Sequence, residues 1–391
     1  MESNATPTMS KKLAAVQPHL LIDSGSKTRA SNLAYLPGGK RLVASHFSGS
    51  IRIYDVENGK MEGTPMLHGS QILVPVGGLA VTRDGTKIVS SGENGRIKVW
   101  NVDSHALVEE WTHPNGYPDI AISPDDRLVA ISDVKLTLRH LDGGAEINHS
   151  IKFTGEVRAM CFSPDERNLK LACVISVGLY VFDVERGQCV WGPVRPCNCS
   201  VGWPVIWSHD GRTIFSAGLV GEIHCIPANT GESIGQPWVG HTAVIRSLSL
   251  SPDGSKLASL SRDRTIRFWD ATSGNPVGVY LGQDTSMFCF SPFEEVMASA
   301  RNDKKIYLSR VPWSESARNQ VVPFTNASAL PLINFTPVRP GKLVSMYVTS
   351  GVSPTLLLPS LSILHHRQKD DSLCRREMHQ MTRTSIMLRK R

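Results

Sequence analysis

His241, Ser259 and Asp263 are the residue types of a catalytic triad, gathered in one short stretch of a 391-residue chain. A hydroxyl activated by an imidazole that a carboxylate orients would open an ester or an amide. The chain holds no Walker A sequence, no HExxH pair and no Rossmann-type glycine run, so nucleotide, zinc-peptidase and dinucleotide chemistry lack their usual frames. Cys197 and Cys199 make half of a zinc site at most, because a tetrahedral centre needs two more ligands and no CxxC or HxxxH partner stands elsewhere. These residues assemble no catalytic, metal or cofactor set, and the expectation is a protein that is not an enzyme. The histidine, serine and aspartate take their meaning from the pattern around them.

Charge narrows the class of partner. The formal net charge is +7, yet residues 1–312 carry 31 Lys+Arg against 31 Asp+Glu, whereas residues 313–391 carry 11 against 4. A neutral body argues against a broad nucleic-acid footprint, since phosphate binding needs clustered positive charge. Polyanion binding is then left to the tail, at Arg375, Arg376 and the last three residues. Residues 343–366 carry no formal charge, but Gly351, Pro354, Pro359 and five serines dilute them, so no membrane insertion is expected. The first residues lack the apolar run of a signal peptide, and the eight cysteines show no paired spacing. Both point to free thiols and to a cytoplasmic or nuclear protein that is not secreted.

A turn tetrapeptide recurs at 36–39, 82–85, 123–126, 163–166, 208–211, 251–254 and 291–294, as LPGG, TRDG, SPDD, SPDE, SHDG, SPDG and SPFE. Proline presets φ, aspartate bonds nearby amides and glycine accepts a positive φ, which is the chemistry of a hairpin turn. Successive spacings are 46, 41, 40, 45, 43 and 40 residues. Short β-prone runs flank each copy: Leu79 to Val81 before one turn, Lys87 to Ser91 after it, then Arg96 to Trp100 and a looser run from Ala106 to Trp111. Four strands per repeat and seven repeats predict a propeller.

The third strands end in Tyr54-Asp55, Trp100-Asn101, Phe182-Asp183 and Trp269-Asp270, and Gly240-His241 stands before the sixth repeat. Over residues 18–312 the chain resembles the WD40 family, and within it the closely spaced arrays of fungi. The resemblance implies an all-β, seven-bladed WD40-type β-propeller. It also implies a structural tetrad of His, strand Ser or Thr, turn Asp and Trp in each blade, matched in full by His241, Ser259, Asp263 and Trp269. On that reading the triad types tie a loop to its strands. Other repeats match in part: Ser90, Asn94 and Trp100 in the second, and Ser299 and Asp303 with Ser309 in the tryptophan place in the seventh. The third keeps Leu136 and Leu138 before Arg139-His140, and the fifth ends in Ile226-Pro227.

The seventh repeat runs out after its third strand, so the segment from Pro18 to Asp23 is expected to close the ring. The domain map is then a flexible 1–17, a propeller over 18–312 and a basic, disordered tail over 313–391. The expected function is a non-enzymatic scaffold, a monomeric propeller working within complexes and binding other proteins or peptides through its top face. The alternative is polyanion or nucleic-acid binding through the tail. In the family the top face is lined by the residue before the turn aspartate and by outward positions at the start of the first strand. Register then gives Phe47, Arg158, Ile175, Trp203, Leu219, Arg246 and Arg262 as contact residues, favouring a partner with apolar anchors and some acidic side chains.

Overall fold

The computed structural model describes residues 18–313 except 69–75, 93–94, 115–117, 133–135, 148–155, 176–177, 196–200, 219, 282–283 and 294, and leaves aside the side chains of 201–203 and 281. Seven antiparallel sheets follow one another between Pro18 and Arg310. Each of the seven tetrapeptides joins the first strand of a sheet to its second, as between Ile245–Leu250 and Lys256–Ser261 in blade 6. The local cause is visible in that turn. Ser251 Oγ donates to Asp253 Oδ1 at 2.5 Å, the Ser255 amide donates to the same oxygen at 3.0 Å, and Gly254 takes a φ of +70°. Thr82 with Asp84, Ser123 with Asp125 and Ser208 with Asp210 repeat the hydroxyl bond. The bonds from Ser251 and Ser255 hold the Asp253 carboxyl down at about 2.

Burial falls from the middle of each blade to its rim. The second strands are buried along nearly their whole length, because a neighbouring blade covers each face, and this is why they read as continuous runs such as Leu42, Val43 and Ala44. The fourth strand of blade 2, Leu107–Thr112, lies on the rim and is mostly exposed. Apolar clusters fill all seven gaps between successive blades. One of them unites Ile22, Leu42, Tyr54, Ala298 and Ile306 across the junction of blades 7 and 1. The innermost strands touch in cyclic order, and that of blade 7, Thr285–Phe290, meets that of blade 1, Ala30–Tyr35. The ring is closed. Its last sheet takes Pro18–Asp23 as the outer strand, paired antiparallel with Lys305–Arg310.

Two blades depart from the expected four strands. Among the described residues the sheets of blades 3 and 5 have three, with single bridges, Arg139 to Glu146 and Ile223 to Trp238, in the place of a fourth. In blade 5 the cause is local: Gly235 turns left-handed at φ +67° and Pro237 has no amide to give, so the ladder along Ile223–Pro227 is interrupted.

A second inter-blade device recurs on the rim. Trp111 of blade 2 lies over Gly144 of blade 3, Trp191 of blade 4 over Gly231 of blade 5, and Trp238 of blade 5 over Gly274 of blade 6. Each glycine has a positive φ and no room for a Cβ beside the indole. The loops from the fourth strand to the next first strand, and from second to third, share one face, here called the top; the tetrapeptide turns lie on the opposite face.

Candidate functional site

The loop before Ile245–Leu250 and the turn after Lys256–Ser261 bring together the four residues singled out in blade 6. His241 Nδ1 lies 2.8 Å from Asp263 Oδ2, His241 Nε2 lies 2.7 Å from Ser259 Oγ, and Trp269 Nε1 donates to Ser259 Oγ at 2.9 Å. One proton arrangement satisfies all three contacts: Nδ1–H donates to the carboxylate, the serine hydroxyl donates to Nε2, and the indole N–H donates to the serine. Burial lowers the His241 pKa, against the pull of Asp263, so the imidazole is neutral at pH 7. Burial opposes ionisation of Asp263, but bonds from Thr265, His241 and the Thr242 amide hold its carboxyl below the usual range. Ser259 is 0% exposed, with its hydroxyl engaged on both sides, so no substrate carbonyl reaches it. The arrangement has the chemistry of a strut.

Other blades improvise. In blade 2 Trp100 Nε1 donates to Ser90 Oγ at 2.9 Å, while Asn94 lies outside the described residues. In blade 7 Ser299 Oγ is buried without a hydrogen-bond partner, and the Tyr280 hydroxyl of blade 6 lies 3.4 Å from Ser309 Oγ, in the tryptophan place. Blade 1 uses a pair that the sequence reading missed: His46 Nε2 lies 3.3 Å from the Tyr54 hydroxyl, which donates to Ser24 O at 2.8 Å. The signal was Tyr54 standing where blade 6 has tryptophan.

Residues 231–235 read GESIG, a GxSxG match that the sequence analysis passed over. No helix follows it, Ser233 is exposed, and no hydrogen bond joins Ser233 to a histidine or carboxylate among the described residues. A nucleophile elbow needs a strand-to-helix turn, so the match is fortuitous. Cys197 and Cys199 lie outside the described residues, and Cys161, Cys173, Cys189, Cys225 and Cys289 are free thiols. Burial pushes the Cys161 thiol up to about 11 and the Cys225 and Cys289 thiols up to about 12.

On the top face, β-bulges aim two of the expected contacts outward. The register of blade 6 slips between Ile245 and Ser247, and that of blade 4 between Val157 and Ala159, so Arg246 and Arg158 occupy equivalent, exposed positions. Arg262 is exposed beside Arg246, its amide bonded to Val244 O at 2.9 Å. Phe47 is half-buried under the guanidinium of Arg29, 4.8 Å from the ring centre.

Ile175 is a correction: it is 1% exposed and packs in the core between blades 3 and 4. The turn of blade 4 is longer, so Ile175 pairs with Val157 as Ser261 pairs with Ile245, one place short of the Arg262 position. The side chain of Trp203 and the whole of Leu219 lie outside the described residues.

Two apolar residues join the surface that the reading did not name. Val220 is 68% exposed and Val239 77% exposed. Their loops are packed together, since a Cβ on Gly221 would stand 2.8 Å from the carbonyl oxygens of His241 and Ala243. Val220 occupies the position that Asp263 holds in blade 6, a lapse in the repeat that the sequence displays.

The family model described as "WD domain, G-beta repeat" matches residues 67–101 and 232–270. Curated relatives include "Autophagy-related protein 16" of Arabidopsis thaliana, 24% identical over 60% of this chain and 46% of its own length. "Meiotic recombination protein rec14" of Schizosaccharomyces pombe is 25% identical over 48% of this chain and 64% of its own. "WD repeat and SOCS box-containing protein 1" of Xenopus tropicalis is 30% identical over 59% of this chain and 58% of its own. The chain thus spans about half the length of these relatives. No helix among the described residues is long and apolar enough to cross a membrane. With seven propeller sheets in a closed ring, the matched repeats and relatives that carry them, the chain belongs to the WD40-repeat β-propeller family.

Proposed function

We propose that this propeller is a protein-interaction module without catalytic activity, and that its main contact surface is the top face over blades 4–6, reaching to Phe47. The observation that carries the reading is the pair Val220 and Val239, apolar and more than two-thirds exposed on packed loops, beside the outward-aimed Arg246 and Arg262. Exposed apolar groups rimmed by cations are the composition of a binding patch, with arginine enriched among residues that dominate binding energy. The contact set proposed from the sequence also includes Trp203 and Leu219. WD40 propellers are generally non-enzymatic, and the strut-like use of His241, Ser259 and Asp263 agrees with that class. Work in the cytoplasm or nucleus fits free thiols and relatives whose names refer to autophagy and meiotic recombination. Polyanion binding through the tail falls outside the described residues and gains no support from the relatives.

Affinity purification of the full chain tests this, with Val220→Asp/Val239→Asp compared against Leu107→Asp on the rim of blade 2. The top-face variant loses its partners and the rim variant keeps them. Retention of every partner by a normally melting top-face variant would contradict the assignment.

A further inference from the structure

Three arginines on the top face have no carboxylate partner among the described residues. Arg246 stands on the bulge of the innermost strand of blade 6, and Arg262 directly follows the second strand, Lys256–Ser261, beside it. Arg29 precedes the innermost strand of blade 1, stacks on Phe47 and donates to Asn302 Oδ1 of blade 7. The innermost strands of blades 6, 7 and 1 are consecutive around the ring, so the three cations share one arc. Several arginines elsewhere do have a carboxylate: Arg41 with Asp103, Arg83 with Glu166, Arg96 with Glu110 and Arg186 with Asp183.

Two carboxylates of this arc are already engaged. Asp263 serves His241, Thr242 and Thr265, and Asp303 accepts from the Tyr307 hydroxyl and the Lys305 amide. Asp284 is exposed on the neighbouring loop and forms no ion pair with the three. Partial burial, together with the charges of Arg262 and Arg29, lowers the pKa of Arg246. An anion joining these cations relieves their mutual repulsion.

We propose that this arc receives a phosphorylated side chain carried on an extended segment of a partner protein. The proposal rests on the interaction surface inferred above and names the chemistry that surface reads. A phosphate ester offers two negative charges and three terminal oxygens, which three guanidinium forks can share. A single carboxylate brings one charge and two oxygens, enough for one fork. The Phe47 ring beside Arg29 supplies an apolar wall for the residue adjoining the phosphate, and Val220 and Val239 lie on the side of blade 6 toward blade 5.

The test uses the full chain and three labelled peptide pools, degenerate around a fixed central phosphothreonine, threonine or glutamate, with binding read by fluorescence anisotropy. The phosphothreonine pool binds at least about tenfold more tightly than either other, as expected for charge-assisted bidentate bonds. Arg246→Gln/Arg262→Gln abolishes that preference without moving the melting temperature, and Arg29→Lys weakens it only in part because charge survives without the fork. Equal binding of the three pools, no binding of any, or a preference that survives the double variant overturns the proposal. If the preference is absent while partners are still captured through Val220 and Val239, the interaction surface stands and the phosphate falls; if neither is seen, both fall.

Discussion

Ile22 of the N-terminal strand lies opposite Ile306 of the last strand, and both are 0% exposed. The two ends of the propeller are therefore welded by ladder bonds and by a shared apolar cluster. Deleting residues 1–24 removes that strand and leaves Lys305–Arg310 as an open edge. The expected result is a lower melting temperature for the whole ring and self-association through the edge. Leu21 contributes less than Ile22, since it is 44% exposed. An unchanged melting temperature with a monomeric truncated chain would refute the closure.

The strut in blade 6 makes its own forecast. His241→Ala or Asp263→Ala strands buried polar partners and lowers stability by about 1–3 kcal/mol in denaturant titration. Ser259→Ala breaks both remaining contacts, to His241 and Trp269, and belongs in the same range.

Acid should loosen the ring above the range where ordinary carboxylates titrate. Burial lowers the His46 pKa to about 4, and burial also lowers those of His68, His224 and His241. Below the ordinary histidine value the unfolded chain binds protons that the folded chain refuses, so their stabilisation is complete above about pH 6.5 and is lost as pH falls below it, in the case of His46 down to about 4. For His46 alone the loss is about 3 kcal/mol at the bottom of that window. Asp119 has the opposite sign, because burial pushes it up to about 6 and its ionisation costs stability as pH rises. Melting between pH 7 and 4.5 checks both: His46→Gln flattens the fall, and Asp119→Asn raises the melting temperature at pH 7.

Gly143 and Gly144 offer a matched pair. Both have positive φ, +76° and +60°, but a Cβ at 143 meets nothing within 4 Å whereas one at 144 would stand 2.3 Å from Trp111 Nε1. Gly143→Ala should cost about 1–2 kcal/mol for the backbone alone. Gly144→Ala costs more, since the Trp111 ring must leave its seat between blades 2 and 3.

The turns told most of the fold. Serine, aspartate and glycine at 251, 253 and 254 act through neighbours in sequence, and such local bonds survive in the bare string. The closing strand was legible for a related reason: a repeat that lacks its outer strand leaves one place to find it. The missing fourth strands of blades 3 and 5 were harder, because Gly235 and Pro237 decide the ladder only once Ile223–Pro227 is beside them. Ile175 was misplaced because a longer turn shifted its register by one, which exchanges a surface position for a buried one. Val220 and Val239 are far apart in the pattern, and the packing of their loops at Gly221 is what joins them.

The top-face assignment can be tested most directly by photo-crosslinking from the full chain in cells. A benzoylphenylalanine at 239 reports the top of blades 5 and 6, one at 107 the rim of blade 2, and one at 293, where Phe293 is 73% exposed in a tetrapeptide turn, the opposite face. The account predicts covalent capture of a partner protein from 239, lost when Val220→Asp is added, with neither 107 nor 293 capturing that partner. Capture from 293 with none from 239 would contradict it.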